Sequence, residues 1–149
     1  MIRYQFVTGT GFTSKAVAWF GGGVFSHVDA VLSDGSLLGA RLDGGVSVRP
    51  PYYDHWSRRV VFSLPTTAQQ DEQWRNFLVD QLGKPYDKTA IWGFATGRDW
   101  REDDSWFCSE LAAAALEMAG GCPVLYTPAN KITPSGLATV LSALGAVTG

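Results

Sequence analysis

The stretch DDSWFCSELAAAALEMAG, residues 103–120, does most to decide the fold of this chain, and it contains Cys108. An acidic, serine-containing lead-in precedes a run of strong helix formers. A helix is therefore predicted to begin near Cys108 and to end at Gly120-Gly121. A helix N-terminus carries unpaired N–H groups and partial positive charge, which favour a thiolate over a thiol. Cys108 is thus either a nucleophile or a small buried apolar residue, and its position alone favours burial.

Short strands precede this helix along the chain. Apolar alternation, turn residues between the runs and an Asp34-Gly35 hairpin signal predict strands within RYQFVTG (3–9), HVDAVL (27–32), SLLGARL (36–42), GGVSVRP (44–50) and RRVVFSLP (58–65). The aromatic stretch PYYDHW, residues 51–56, is predicted to be a loop. The sheet is expected to be mostly antiparallel.

Helical patterns surround the strands. TSKAVAWF (13–20) predicts a turn or two of helix before the glycines at 21–23. TTAQQDEQWRNFLVDQLG (66–83) predicts a Thr-capped helix that ends at Gly83, with an apolar stripe of Trp74, Phe77, Leu78 and Leu82. ITPSGLATVLSAL (132–144) predicts a last helix with Thr133 as its cap and Pro134 in its first turn. The fold class is therefore α+β, a small sheet packed against helices in one domain, 1–149.

Composition narrows the function. With 149 residues and 46% hydrophobic content, the chain can form a hydrophobic core. Its 12 basic residues are outnumbered by 14 acidic residues, so the chain has no net positive charge to attract nucleic acid. The first residues lack the pattern of a signal peptide, and no run approaches the roughly 18 apolar residues of a membrane span. Cytoplasmic synthesis and no stable membrane anchor are expected. Two cysteines are too few for a disulfide framework, and Cys122, after a helix stop, is expected to be apolar filler.

A nucleophilic cysteine needs a base, and the chain has two histidines. His27 begins a predicted core strand directly after a glycine-rich turn, whereas His55 lies in the polar aromatic loop, where an exposed imidazole needs no special role. His27 is therefore the better candidate. Neither Cys108 nor His27 has a second cysteine or histidine at metal-ligand spacing, so no metal site is predicted, and no cofactor is expected.

The order FSHVDAVLSDG (25–35), LGKPYD (82–87), WFCSELAAAALE (106–117) and ITPSGL (132–137) resembles the permuted branch of the NlpC/P60 cysteine-hydrolase superfamily, the YiiX/YebB-like proteins. In that branch the histidine strand precedes the cysteine helix. The resemblance spans almost the whole chain. It implies a circularly permuted papain-like fold with Cys108 as the nucleophile and His27 as its general base.

The chain departs from this family at the residue that orients the histidine. Much of the family has a polar residue, often Glu, on the next strand, where this chain has Gly39. Asp29 is the preferred substitute, because the second residue along a strand returns its side chain to the face of His27. Asp43 is an alternative, although its surroundings, LDGG at residues 42–45, are more typical of a turn. The third possibility is a dyad, with a backbone carbonyl or a water holding the ring.

Other residues have two interpretations. Tyr86 matches a family tyrosine that lines the active site, and its hydroxyl would donate to an oxyanion, or it is a half-buried turn aromatic. Glu110 lies about 200° around the helix from Cys108, so a structural hydrogen bond is expected of it. An aromatic series either walls a substrate cleft or packs in the core, and packing is favoured: Trp92, Phe94, Trp100 and Trp106.

The resemblance implies a cysteine peptidase or amidase that cleaves a peptide or peptidoglycan stem of the bacterial cell wall. Two alternatives stay open. One is a lipid or other acyl hydrolase or transferase of the LRAT type. The other is a non-catalytic module such as a phage tail-tip component, an idea that Gly39 favours. Resemblance to short domains encoded near phage tail genes implies phage tail proteins as partners and action in the virion or at the host cell wall.

Overall fold

The computed structural model describes residues 1–9, 23–87, 105–120 and 132–149, and within them the chain is an α+β structure built on one antiparallel sheet. The order of the six described strands is β4-β3-β2-β1-β5-β6. Their bounds are Ile2–Gly9 (β1), His27–Val31 (β2), Leu37–Arg41 (β3), Gly45–Arg49 (β4), Trp56–Leu64 (β5) and Val147–Thr148 (β6). Every neighbouring pair is antiparallel, as the strand patterns predicted.

The described helices are Ala68–Asp80 (α1), Cys108–Met118 (α2) and Pro134–Ala143 (α3). The predicted caps form at both threonines. Thr67 accepts a hydrogen bond from the N–H of Gln70, and Thr133 accepts one from Gly136. These side chains satisfy N–H groups that have no partner within the first helical turn, so the local sequence sets where α1 and α3 begin.

The Asp34-Gly35 turn joins β2 to β3, as predicted. The Asp34 carboxylate accepts hydrogen bonds from the N–H and hydroxyl of Ser36 at 2.9 and 2.6 Å. Gly35 has a φ of +85°, which glycine adopts without steric strain. This turn sets the register of the strand that carries His27 against its neighbour.

The core lies between the sheet and the helices. Tyr4 connects three elements there, because its hydroxyl accepts from Trp74 Nε1 at 2.7 Å and donates to the carbonyl of Ala112 at 2.8 Å. Contacts with both β2 and β3 place α2 against these strands. The packing therefore positions Cys108 relative to the histidine strand.

Some local predictions were wrong. Leu82 is 41% exposed rather than part of the apolar stripe, because α1 ends at Asp80 and Leu82 lies in the following turn. β5 begins at Trp56, inside the predicted loop, since its pairing with β1 extends to Gly9. The short β6 was not predicted. The helical pattern at 13–20 lies outside the described residues.

Candidate functional site

The candidate site lies where β2 and α2 begin and β3 ends. His27 is the first residue of β2, and Cys108 is the first residue of α2. Both are buried, at 8% and 2% exposure. Cys108 is one of the neighbours that raise the pKa of His27, so the structure places near each other two residues that are 81 positions apart in sequence.

Asp29 contacts the other side of the His27 ring. Its Oδ1 lies 2.9 Å from His27 Nε2, and the carboxylate is 1% exposed. The two residues share a strand face because side chains alternate along β2. With Nε2 directed to Asp29, Nδ1 is the ring nitrogen left for Cys108. The predicted acid therefore reaches the imidazole, and its role in orienting the ring remains a prediction.

Gly39 lies across the β2–β3 ladder from Asp29. The pairing of Ala30 with Leu38, continued by one residue, places Gly39 opposite Asp29. A Cβ built on Gly39 would overlap Asp29 Oδ1, so any larger residue would displace the carboxylate. The glycine that looked like a missing acid thus makes room for an acid that comes from the adjacent strand.

Asp43, the alternative acid, lies elsewhere. Its Oδ1 is 2.9 Å from Arg41 Nε, and its side chain is 69% exposed. Arg41 also pairs with Asp54, through Nη2 at 3.0 Å. Asp43 therefore belongs to a surface ion-pair cluster after β3, in agreement with its reading as a turn residue.

Tyr53 is a site residue that the sequence did not reveal. Its hydroxyl donates to Asp29 Oδ2 at 2.7 Å and lies 3.2 Å from His27 Nε2. The ring of Trp56 stacks on the imidazole, with ring centres 6.4 Å apart and planes 19° apart. The loop carrying Tyr53 was predicted as a loop, but no local pattern showed that it folds back onto β2.

The electrostatics of the site favour a charged imidazole. Burial acts to lower the pKa of His27, but the charge and hydrogen bond of Asp29, together with the neighbouring Cys108, outweigh burial and raise this pKa to about 10. Burial would raise the pKa of Asp29, but the charge of His27 and hydrogen bonds from His27 and Tyr53 lower it below its ordinary value. Burial, together with the charge of Asp29, raises the pKa of Tyr53, so its hydroxyl stays a donor at neutral pH.

The raised pKa of His27 predicts a measurable titration. A raised pKa means that the ring keeps its proton to higher pH, so we expect imidazolium at pH 7 and loss of the proton as the pH passes about 10. NMR of ring-labelled histidine checks this, with His27→Ala to assign the signal. In Asp29→Asn the midpoint should fall, because the neutral amide no longer stabilises the imidazolium. A His27 signal that is neutral at pH 7 in the wild-type protein would contradict the charged pair.

Tyr86 lies near the cysteine. Its ring packs on Phe107, with centres 5.7 Å apart, and backbone bonds from Trp106 N–H to Pro85 O and from Asp87 N–H to Trp106 O hold the segment in place. Burial, followed by the charge of Cys108, raises the pKa of Tyr86, so the two side chains are within electrostatic range. Its predicted oxyanion contact stays a prediction.

The remaining residues considered in the sequence have structural contacts, are exposed or lie outside the described residues. Glu110 Oε2 accepts from the N–H of Phe107 at 3.3 Å, the structural hydrogen bond expected of it. His55 is exposed. Trp106 packs edge-on against Phe77 and donates to Gln81 Oε1 at 3.1 Å, which favours a packing role. Trp92, Phe94, Trp100 and Cys122 lie outside the described residues, and Cys108 is a free thiol.

In residues 1–9, 23–87, 105–120 and 132–149, no group of three or more His, Cys, Asp or Glu side chains is placed to hold a metal ion. Within the same part of the chain, no helix has the length and apolar character needed to cross a membrane.

Comparisons with known proteins establish the fold alone. No protein-family model matches the chain, and no curated protein matches it significantly. The crystal structure of YiiX from Escherichia coli O157:H7, described as a metalloprotein, is similar with a TM-score of 0.66 and 23% sequence identity, covering 83% of this chain and 67% of YiiX. The chain therefore shares the α+β fold of YiiX.

Proposed function

We propose that the chain is a cysteine hydrolase that attacks an amide or peptide carbonyl through Cys108 and His27. One observation carries the proposal: a buried histidine, hydrogen-bonded through Nε2 to a buried aspartate, lies beside a cysteine at the start of a helix. Thiol catalysis needs a nucleophile and a base, and a third group that orients the base supports both. The YiiX-like fold and the order of the motifs support a permuted papain-like arrangement.

In this mechanism His27 and Cys108 form an imidazolium–thiolate pair. The thiolate attacks the carbonyl carbon, and charge develops on the carbonyl oxygen. The N–H groups of the first helical turn have no partner within the helix, so the N–H of Cys108 is available to stabilise that oxyanion. Tyr86 is the second candidate donor. His27 protonates the leaving amine through Nδ1, and water then hydrolyses the acyl-enzyme.

The substrate we propose is a peptide of the bacterial cell-wall stem, with a phage-encoded enzyme as one source. The family resemblance of the motifs supports this choice. An LRAT-like acyl substrate is the alternative, and a non-catalytic tail component is the outcome if no turnover exists. Location in a virion or at the host wall is part of the same proposal.

YiiX is described as a metalloprotein, but the described site of this chain does not fit a metal ion. A metal would need deprotonated ligand atoms directed at a common point. His27 Nε2 is directed at Asp29 and Tyr53, and the ring lies close enough to Cys108 for that side chain to help raise its pKa. Asp29 Oδ1 and Oδ2 are both occupied by these same partners. We therefore derive no step through a metal.

Alkylation of Cys108 by iodoacetamide tests the proposal without a known substrate. The thiolate is the reactive species, so at pH 6 the wild-type protein should react faster than a free thiol, and His27→Ala should slow the reaction by at least about tenfold. Peptide mass distinguishes Cys108 from Cys122, which serves as an internal reference. A rate that is unchanged in His27→Ala would contradict the pair.

A substrate panel then separates the candidate reactions. Muropeptides, ester lipids and unrelated peptides are incubated with wild-type protein and with protein alkylated at Cys108. Release of an amine from a muropeptide, blocked by alkylation, supports the peptidase. Turnover of an ester lipid alone would favour the acyl hydrolase. An activated thiol without turnover of any substrate in the panel would count against the cell-wall assignment.

A further inference from the structure

The hydroxyl of Tyr53 holds the carboxylate behind the histidine. It donates to Asp29 Oδ2 at 2.7 Å, while Oδ1 accepts from His27 Nε2 at 2.9 Å. The two oxygens of one carboxylate are thus held by two different donors, which fixes the plane of the carboxylate. Tyr53 O lies 3.2 Å from Nε2 and is a second, longer acceptor for the same ring N–H.

Arg41 in turn holds Tyr53. Its guanidinium carbon lies 5.0 Å from the centre of the Tyr53 ring, and Nη1 is 3.5 Å from the hydroxyl. The guanidinium is itself fixed by Asp43 at 2.9 Å and by Asp54 at 3.0 Å. Because Asp54 follows Tyr53 directly, this ion pair ties the loop to the end of β3.

The ring of Tyr53 also packs against the residue that covers the imidazole. Tyr53 and Trp56 are in edge-to-face contact, with ring centres 5.4 Å apart and planes at 82°. Trp56 stacks on His27. The ring therefore has a packing role and the hydroxyl has a polar role, and Tyr53→Phe removes only the second.

We propose that Tyr53 is a positioning residue, whose hydroxyl orients Asp29 so that Asp29 in turn orients the His27 ring toward Cys108. This inference rests on the proposed function and deepens it. Arg41 acts one step further out, by holding the Tyr53 ring and the loop. The chain thus has a series of four side chains in contact, Arg41, Tyr53, Asp29 and His27, in which Arg41 and Tyr53 act on the His27 ring through their neighbours.

Tyr53→Phe tests the proposal, and Tyr52→Phe is the matched control. Tyr52 is the adjacent tyrosine, 78% exposed, with its ring against Arg59 rather than the site. A hydrogen bond to a charged group is strong, so its loss should slow alkylation of Cys108 by roughly tenfold at pH 6, while Tyr52→Phe leaves the rate as it is. Thermal melting of each variant checks that it is folded.

A pH profile separates positioning from a merely structural role. The hydrogen bond from Tyr53 helps to lower the pKa of Asp29, so its loss raises that pKa. The alkylation rate of Cys108 falls on the acidic side of its pH profile, which we call the acidic limb. This fall should therefore occur at higher pH in Tyr53→Phe and at the wild-type pH in Tyr52→Phe. Arg41→Gln should produce a smaller shift in the same direction, since Tyr53 keeps its hydroxyl but loses the contact with the Arg41 guanidinium.

The outcomes are distinguishable. If the wild-type rate does not depend on His27, the proposed function fails, whatever Tyr53 does. If the rate depends on His27 and Tyr53→Phe matches Tyr52→Phe in rate and profile, the Tyr53 proposal is overturned and the function stands. A slower folded Tyr53→Phe with an unshifted acidic limb would also overturn the proposal, because it would reveal a packing effect.

Discussion

Replacing Cys108 or His27 with alanine is expected to reduce turnover of a cell-wall peptide by about 10⁴- to 10⁶-fold, with the fold retained. Removing the nucleophile or the base of a catalytic unit removes nearly the whole effect of the unit, because the remaining members cannot act alone. Single-turnover rates on the substrate found in the panel provide the measurement. The variant that carries both Cys108→Ala and His27→Ala should lose about as much turnover as either single variant, since the two residues act together.

His55→Ala is the matched control for His27→Ala. It removes the only other histidine of the chain, which is exposed and whose backbone N–H bonds to Asp54. Its turnover should stay within a factor of about two of wild type, as for a surface substitution. Full turnover in a folded Cys108→Ala or His27→Ala protein would refute the assignment of nucleophile and base.

The second large effect is expected at Gly39. A Cβ there would overlap Asp29 Oδ1 and lie 3.1 Å from its Cγ, so Gly39→Ala should force the carboxylate away from His27. Loss of the orienting acid lowers rates by about 10⁴-fold in triad enzymes, and we expect the loss of turnover in Gly39→Ala to approach the loss expected in Asp29→Asn. Crowding in the sheet should also destabilise the fold by about 1–3 kcal/mol.

A double-mutant cycle tests this coupling. In an Asp29→Ala background the carboxylate is absent, so adding Gly39→Ala should cause little further loss of turnover or of unfolding free energy. Denaturant titration and single-turnover rates give the two readouts. Additive losses would show that Gly39 matters for a reason other than Asp29. Asp43→Asn, by comparison, should lower turnover far less than Asp29→Asn, because the carboxylate of Asp43 pairs with Arg41 and not with His27.

The predictable parts of the fold were those governed by local chemistry. Thr67 and Thr133 cap their helices, Asp34-Gly35 turns between β2 and β3, and α2 begins at Cys108. Each depends on hydrogen bonds or dihedral angles within a few residues, so sequence spacing is enough to identify it. The strand face that His27 shares with Asp29 belongs to the same class, because side chains two residues apart along a strand point the same way, but the choice between Asp29 and Asp43 does not.

The unpredictable parts depended on contacts between distant segments. In the sequence, Gly39 occupies the position where the family often has an acidic residue, and only the structure shows that it lies opposite Asp29. Similarly, no residue near Tyr53 in the sequence indicates that its loop folds onto β2. Trp56 likewise became part of β5 through pairing with β1. Such positions follow from sheet register and loop packing, which no local window contains.

The sequence by itself thus determined most of the helices and strands of this protein and the candidates for its reactive side chains, because caps, turns and strand alternation are short-range. Tertiary structure alone decided that Cys108 meets His27, that Asp29 rather than Asp43 contacts the ring, and that Tyr53 and Arg41 stand behind them. The physical reason is that the charged site forms only where burial removes water and several strands, a loop and a helix end converge.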